Sequence, residues 1–247
     1  MTTYETFYQL HHLDKPFILA NAWNAKSAEI IEQNGYAALG TSSGAIANSL
    51  GYDDGEKIPF DELLAIVKRI IAKVKIPVSV DFERGYTDNL QILTDNVDKL
   101  IEAGVVGINL EDAQGEDIYL KKLTAIRNHL VKTNQHLFIN ARTDGFLQKL
   151  DSPLALTIQR AGQYKTAGAD GLFITAVSDP SVITEIANAT SLPINVVGTP
   201  KLSSIDALAA CGVKRISMAV FLYKAAYSKL DILSKQVMAA QSFDPLF

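Results

Sequence analysis

Cysteine is almost missing: the 247 residues contain one, Cys211. An internal disulfide and a thiolate-ligated zinc cluster are both excluded. Positive charge is not in surplus either, because 23 Lys and Arg face 27 Asp and Glu, a formal net charge of −4. Binding of a phosphate backbone through counterion release has nothing to rest on, so no nucleic-acid partner is expected. No apolar run approaches the roughly 18 residues of a membrane span, so no membrane partner is expected. The opening stretch, Met1 to Pro16, lacks a basic segment followed by an apolar one. It does not read as a signal peptide, and a cytoplasmic location is the expectation. What is present is ordinary for a globular protein, with 48% hydrophobic and 20% charged residues, and this excludes a disordered chain.

Short apolar runs recur along the chain at Phe17–Trp23, Ala37–Ser43, Pro77–Glu83, Gly107–Ala113, His136–Asp144, Gly171–Val177, Ile194–Gly198 and Arg215–Ala219. Each is apolar nearly throughout, as a parallel strand buried on both faces must be, whereas a half-solvated strand would alternate. Between them lie helical stripes such as Leu63, Ile66, Val67, Ile70 and Ile71, or Leu93, Val97, Leu100 and Ile101. Gly35, Gly104, Gly168 and Gly212 each follow such a segment and read as helix stops. Pro59, Pro153 and Pro180 sit where helices would begin. Eight strands alternating with helices over this length predict an α/β fold, a single (β/α)8 TIM barrel. Its core runs from about 17 to 219, and a C-terminal helical extension covers about 220 to 240; residues 1–247 form one domain. A doubly wound sheet is the runner-up, but Trp23-Asn24-Ala25-Lys26 is no phosphate loop.

In such a barrel the site lies at the carboxyl ends of the strands, and polar residues collect there. Asp81, Glu83 and Glu111 stand on the ends of two neighbouring strands, where three carboxylates repel unless a cation or protons intervene. A regular strand turns Asp81 and Glu83 the same way. Hard oxygen ligands without His or Cys point to Mg2+ or Mn2+ with waters retained. The alternative is that the acids cap the following helices. Arg142 either pairs structurally with Glu111 or Asp144, or serves as a bidentate donor to a carboxylate or phosphate. Ser43, Gly44 and Ala45 form a turn that suits an anion, or simply a turn. Trp23 and Asn195, on the first and seventh strands, are further candidate substrate contacts, and Asp54 lies in a polar loop. The four His residues lie away from strand ends, which argues against Ser-His-Asp catalysis and a His-ligated zinc. No Lys falls inside an expected strand, which argues against Schiff-base chemistry.

Three segments carry a likeness: Val80-Asp81-Phe82-Glu83-Arg84-Gly85-Tyr86, Gly107-Ile108-Asn109-Leu110-Glu111-Asp112 and Asn140-Ala141-Arg142-Thr143-Asp144. With Ser43-Gly44-Ala45 and Asp54, in this order and spacing, they resemble the isocitrate lyase/phosphoenolpyruvate mutase superfamily from about Phe17 to Met218. The resemblance implies a TIM barrel assembled as a homodimer or homotetramer, often exchanging C-terminal helices. It implies Mg2+ near Asp81, Glu83 and Glu111, directly or through water, and a 2-oxo acid or its enolate on the metal. It also implies that Ser43, Gly44 and Ala45 hold the substrate carboxylate, that Arg142 holds the charged end, and that Asp54 supports the metal–water network. Asp54 and Arg142 are thus the candidate catalytic residues. The lyases carry a Lys-Lys/Arg-Cys-Gly-His segment after the fourth strand, and the mutases a Lys- and Asn-bearing loop. Here that stretch reads Ala113-Gln114-Gly115-Glu116-Asp117-Ile118-Tyr119, so the proton-transfer half is missing or replaced. The expected function is a Mg2+-dependent lyase or decarboxylase acting on a small 2-oxo or 2-hydroxy carboxylic acid through a metal-stabilised enolate. A phosphonate P–C mutase or hydrolase, and a barrel that binds a carboxylate without turnover, are the alternatives.

Overall fold

The structure, a computed structural model, describes residues 2–202 and 204–247. Eight parallel strands close into a barrel in chain order: β1 (Phe17–Ala22), β2 (Leu39–Thr41), β3 (Val78–Asp81), β4 (Gly107–Glu111), β5 (Phe138–Thr143), β6 (Gly171–Ile174), β7 (Ile194–Val197) and β8 (Val213–Ser217). A helix α1 (Thr3–Leu10) precedes the barrel. Around it lie α2 (Ala25–Gln33), α3 (Ser43–Ser49), α4 (Phe60–Ile71), α5 (Leu90–Glu102), α6 (Glu116–Thr133), α7 (Pro153–Ala167), α8 (Pro180–Ala189) and α9 (Ile205–Ala210). The C-terminal helix is α10 (Phe221–Ala240). The (β/α)8 barrel with its C-terminal helix is as the repeating buried runs demand.

The local signals act as their chemistry requires. Leu63, Val67 and Ile70 of α4 and Leu93, Val97 and Leu100 of α5 are buried against the barrel. Pro153 and Pro180 occupy first turns, and Pro59 is the N-cap of α4. Gly168 ends α7 at φ +106°, and a Cβ there would fall 2.5 Å from Arg127, so the stop needs glycine twice over. The strands are shorter than their apolar runs. β2 ends at Thr41, and Ser42 turns to cap α3 by accepting from the Ala45 N–H. One expectation fails: Lys214 lies inside β8, because that strand starts two residues earlier than its apolar run. Its ammonium donates to the Leu13 carbonyl, outside the bore, so it offers no Schiff-base lysine.

The bore of the barrel is not the usual stack of branched apolar side chains. Asn21, Ser79, Asn109, Asn140, Asn195 and Arg215 are all buried there. Below them α1 plugs the amino-terminal end. Phe7 meets Phe17 and Phe138 edge to face at 6.2 and 5.6 Å, and His11 stacks on Phe138 at 3.9 Å. At the other end of the chain, no residue of α10 is buried, and Phe221, Tyr227, Leu230, Ile232 and Met238 are exposed. Among the described residues no helix is long and apolar enough to cross a membrane.

Candidate active site

The carboxyl ends of the strands open on a cleft of 760 Å³. Strand register decides who meets whom on its floor: Asp81 lies beside Asn109, and Glu111 beside Arg142. Asp81 ends β3, its N–H donating to Thr41 Oγ1 at 3.0 Å. Its Oδ2 accepts from the Ser43 hydroxyl at 2.7 Å and, more weakly, from the Ser43 N–H at 3.4 Å. Its Oδ1 is buried with no partner. A buried carboxylate oxygen left bare is costly unless something outside the protein satisfies it.

The two-residue spacing of Asp81 and Glu83 does not work through a regular strand. β3 stops at Asp81, and Glu83 sits in the left-handed region at φ +47°. Strained non-glycine backbone of this kind persists where surroundings hold it. Here the Tyr86 hydroxyl donates to Glu83 Oε1 at 2.7 Å, and the Arg84 and Tyr86 N–H groups both donate to Glu56 Oε1 at 2.8 Å. The turn is therefore wrapped around one carboxylate in order to aim another into the cleft.

Arg142 carries both of its expected ion pairs. Its Nη1 meets Glu111 at 2.7 Å, while Nε and Nη2 clasp Asp144 at 2.8 and 3.0 Å. Burial opposes its charge, but Glu111 and Asp144 outweigh that and raise its pKa. Glu83 is pushed up to about 7, first by burial and then by Asp81. Glu111 rises to about 8 because burial and the charges of Asp81, Asp144 and Glu83 outweigh the pull of Arg142. These acids thus hold charge at neutral pH only with difficulty.

The wall as a whole carries five carboxylates, Asp53, Asp54, Asp81, Glu83 and Glu111, against two cations, Arg142 and Lys224. That donor set is all hard oxygen, which fits Mg2+ or Mn2+. Among the described residues no three acidic, His or Cys side chains converge tightly enough to hold an ion alone. An ion here would keep several waters, as Mg2+ prefers. The bare Asp81 Oδ1 fits a ligand for such an ion, with Glu83 and Glu111 on the same wall.

Ser43, Gly44, Asp54, Asp81, Glu83, Glu111 and Arg142 all line the cleft. Gly44 has a steric reason to be glycine, since a Cβ would fall 2.8 Å from Asp54 Oδ2. Three other expected residues are not on the wall. Trp23 packs edge-on against Tyr223 at 5.4 Å. Ala45 is buried, and its N–H is spent on the Ser42 cap. Asn195 is buried in β7, where Val197 lines the cleft in its place. The wall also holds residues that were not among the candidate site residues: Asn21, Asn48, Asp53, Asn109, Tyr223 and Lys224. Asn109 lies in the same fourth-strand motif as Glu111. Tyr223 and Lys224 gave no signal, because they belong to the helix read as an extension.

The profile of the family described as phosphoenolpyruvate phosphomutase matches residues 7–238. An uncharacterized Mycobacterium tuberculosis protein (strain H37Rv) is 35% identical over 221 residues, 89% of this chain and 84% of its own. The oxaloacetate decarboxylase of Rhodopseudomonas palustris (strain BisB18) is 33% identical over 215 residues, 81% of this chain and 72% of its own. A crystal structure from Burkholderia cenocepacia J2315, provisionally described as a phosphonomutase, superposes with a TM-score of 0.89 at 34% identity. It covers 94% of this chain and 99% of that one. An acidic cleft in a closed parallel barrel, a matching family profile and these relatives lead to one assignment: the chain belongs to the phosphoenolpyruvate phosphomutase family, within the isocitrate lyase/phosphoenolpyruvate mutase superfamily of enzymes.

Proposed function

We propose that this protein is a divalent-metal-dependent carbon–carbon lyase of small 2-oxo or 2-hydroxy carboxylic acids, with β-decarboxylation of a four-carbon oxo-diacid as its best-suited reaction. The observation that carries this is the charge of the cleft. Five acidic side chains against two cations, one of them already in a double ion pair, offer no net positive charge to a doubly negative substrate unless a divalent cation comes with it. Asp81 would hold that ion, with Glu83, Glu111 and Asp54 on its waters. When bound, it supplies Lewis acidity to the negative charge that develops on the substrate's carbonyl oxygen.

The chain's own residues do the rest. Arg142 offers five N–H donors; three are directed at Glu111 and Asp144, so two remain for a substrate carboxylate. The clasp with Asp144 fixes the guanidinium plane, and orientation of this kind lowers the barrier before any bond breaks. In a decarboxylation the electron pair of the breaking C–C bond passes into an enolate, and CO2 departs without needing an acid. That suits a site whose β4–α6 connection carries no Cys or His. Tyr223 and Lys224 are the proton carriers that α10 adds to the wall. The test is pyruvate release from a panel of such acids with Mg2+ or Mn2+. Turnover abolished by Asp81→Ala supports the reading, and absence of turnover on every acid removes it. Tight oxalate binding beside absent turnover moves the protein to a carboxylate-binding barrel instead.

The family description and the Burkholderia structure favour a second reading, cleavage or migration at a phosphonate P–C bond. 31P NMR with phosphonopyruvate decides it, because a new phosphorus species either forms or does not. The exposed apolar residues of α10 support assembly of the chain as a homodimer or homotetramer, which sedimentation measures directly.

A further inference from the structure

Arg215 of β8 is 1% exposed and reaches across the bore to β4, the strand on the opposite wall, where its Nη2 donates to Asn109 Oδ1 at 3.2 Å. Among the described residues it has no carboxylate partner, and its Nε and Nη1 are buried without acceptors. The ring of Phe7 lies below it, 6.0 Å from the guanidinium carbon. Burial pushes its pKa down to about 9, so it is still charged at neutral pH. An unpaired buried guanidinium costs stability, and one kept in the middle of a barrel asks what it does there.

The answer lies in what a guanidinium does to an amide. Arginine only donates, so the end of Asn109 that faces Arg215 is necessarily its oxygen. Asn140 Nδ2 donates to the same oxygen at 2.9 Å. With Oδ1 held from two sides, the amide cannot flip, and Nδ2, which takes no partner among the described residues, is the end left for the cleft that Asn109 lines. Asn109 lies beside Asp81 in register and two residues before Glu111, at the centre of the acidic floor. A donor fixed among acceptors is placed to bind an anionic oxygen.

We propose that Asn109 is a substrate-binding residue, its amide N–H2 hydrogen-bonding an anionic oxygen of the bound 2-oxo carboxylate, and that Arg215 is the positioning residue that keeps the donor end upward. This rests on the functional reading above. The test uses the whole protein with Mn2+ and oxalate. Mn2+ uptake is followed by electron paramagnetic resonance without oxalate, oxalate affinity by calorimetry, and Tm by calorimetric melting. Asn109→Ala weakens oxalate about tenfold, the scale of one hydrogen bond to a charged group, with Mn2+ uptake unchanged. Arg215→Met weakens oxalate by a similar factor while Tm holds or rises, because an unpaired buried charge is removed. Arg215→Lys, which still donates to Oδ1, restores most of the affinity. Should Asn109→Ala fail to fold, the two Arg215 variants answer the same question. Wild-type oxalate affinity in either Asn109→Ala or Arg215→Met overturns the proposal alone, as does a lower Tm in Arg215→Met without loss of oxalate. Failure of the unaltered protein to take up Mn2+ or oxalate overturns the functional reading, and this proposal with it.

Discussion

At the amino-terminal end of the bore, Phe7, Phe17 and Phe138 meet edge to face under a stacked His11. At the carboxyl-terminal end, Asp81, Glu83 and Glu111 crowd one cleft, one of them on left-handed backbone. The base gains from its aromatic contacts, since pairs in these geometries add to the burial of their area. The rim instead holds like charges together and leaves a buried carboxylate oxygen bare, which costs the fold stability. One end of the barrel is built for stability and the other for chemistry, and the two should separate cleanly under mutation.

The largest effect is expected from Asp81→Ala, which should lower turnover by at least about three orders of magnitude, or ~4 kcal/mol. Its thermal midpoint should stay level or rise, because one repelling charge has gone. A fall in both would break the comparison. Phe7→Ala is the converse: its fully buried ring should cost about 3 kcal/mol in a denaturant titration, with oxalate affinity nearly unchanged. Tyr86→Phe sharpens the rim itself. Removing the hydroxyl that steadies Glu83 should reduce kcat/KM about tenfold while leaving the urea midpoint in place.

The smallest effect is a pH dependence at the base. Burial, then the charge of Arg215, holds His11 well below the usual 6.5. The unfolded chain takes up a proton there that the folded chain refuses. Stability is therefore full above about pH 6.5 and falls below it, approaching about 1.4 kcal/mol per pH unit. Urea midpoints at about pH 7.5 and about pH 5.5 measure this fall, and His11→Phe should flatten the part due to this group.

How much of this was legible in the chain follows from what each signal encodes. Buried parallel strands must be apolar on both faces, so all eight were visible, and Gly168 and Pro180 marked helix ends by their own backbone chemistry. Asp81, Glu111 and Arg142 were visible because charge at a strand end is rare without a reason. Glu83 was found by the wrong route, since its aim comes from the turn around Glu56 rather than from strand alternation. Trp23 and Asn195 stand off the cleft wall for a related reason: a residue near the end of a run can stand outside the cleft or below it, and one sequence does not say which. The helix α1 and the polar bore were illegible. Phe7 becomes a plug, and Arg215 a partner of Asn109, only when opposite strands close on each other.

The connection from β4 to α6 spans only Asp112 to Gly115, and it is stitched down. Lys122 holds Gln114 at 3.0 Å, Gln148 holds the Ala113 carbonyl at 3.3 Å, and Gly115 folds back on Asp112 at 2.9 Å. Short and anchored at three points, this connection has little chain to spare for reaching over the cleft. Under the decarboxylase reading, the carbon left behind would then collect its hydrogen from a wall residue such as Lys224 or from water, and a methyl group made chiral with isotopes tells the two apart.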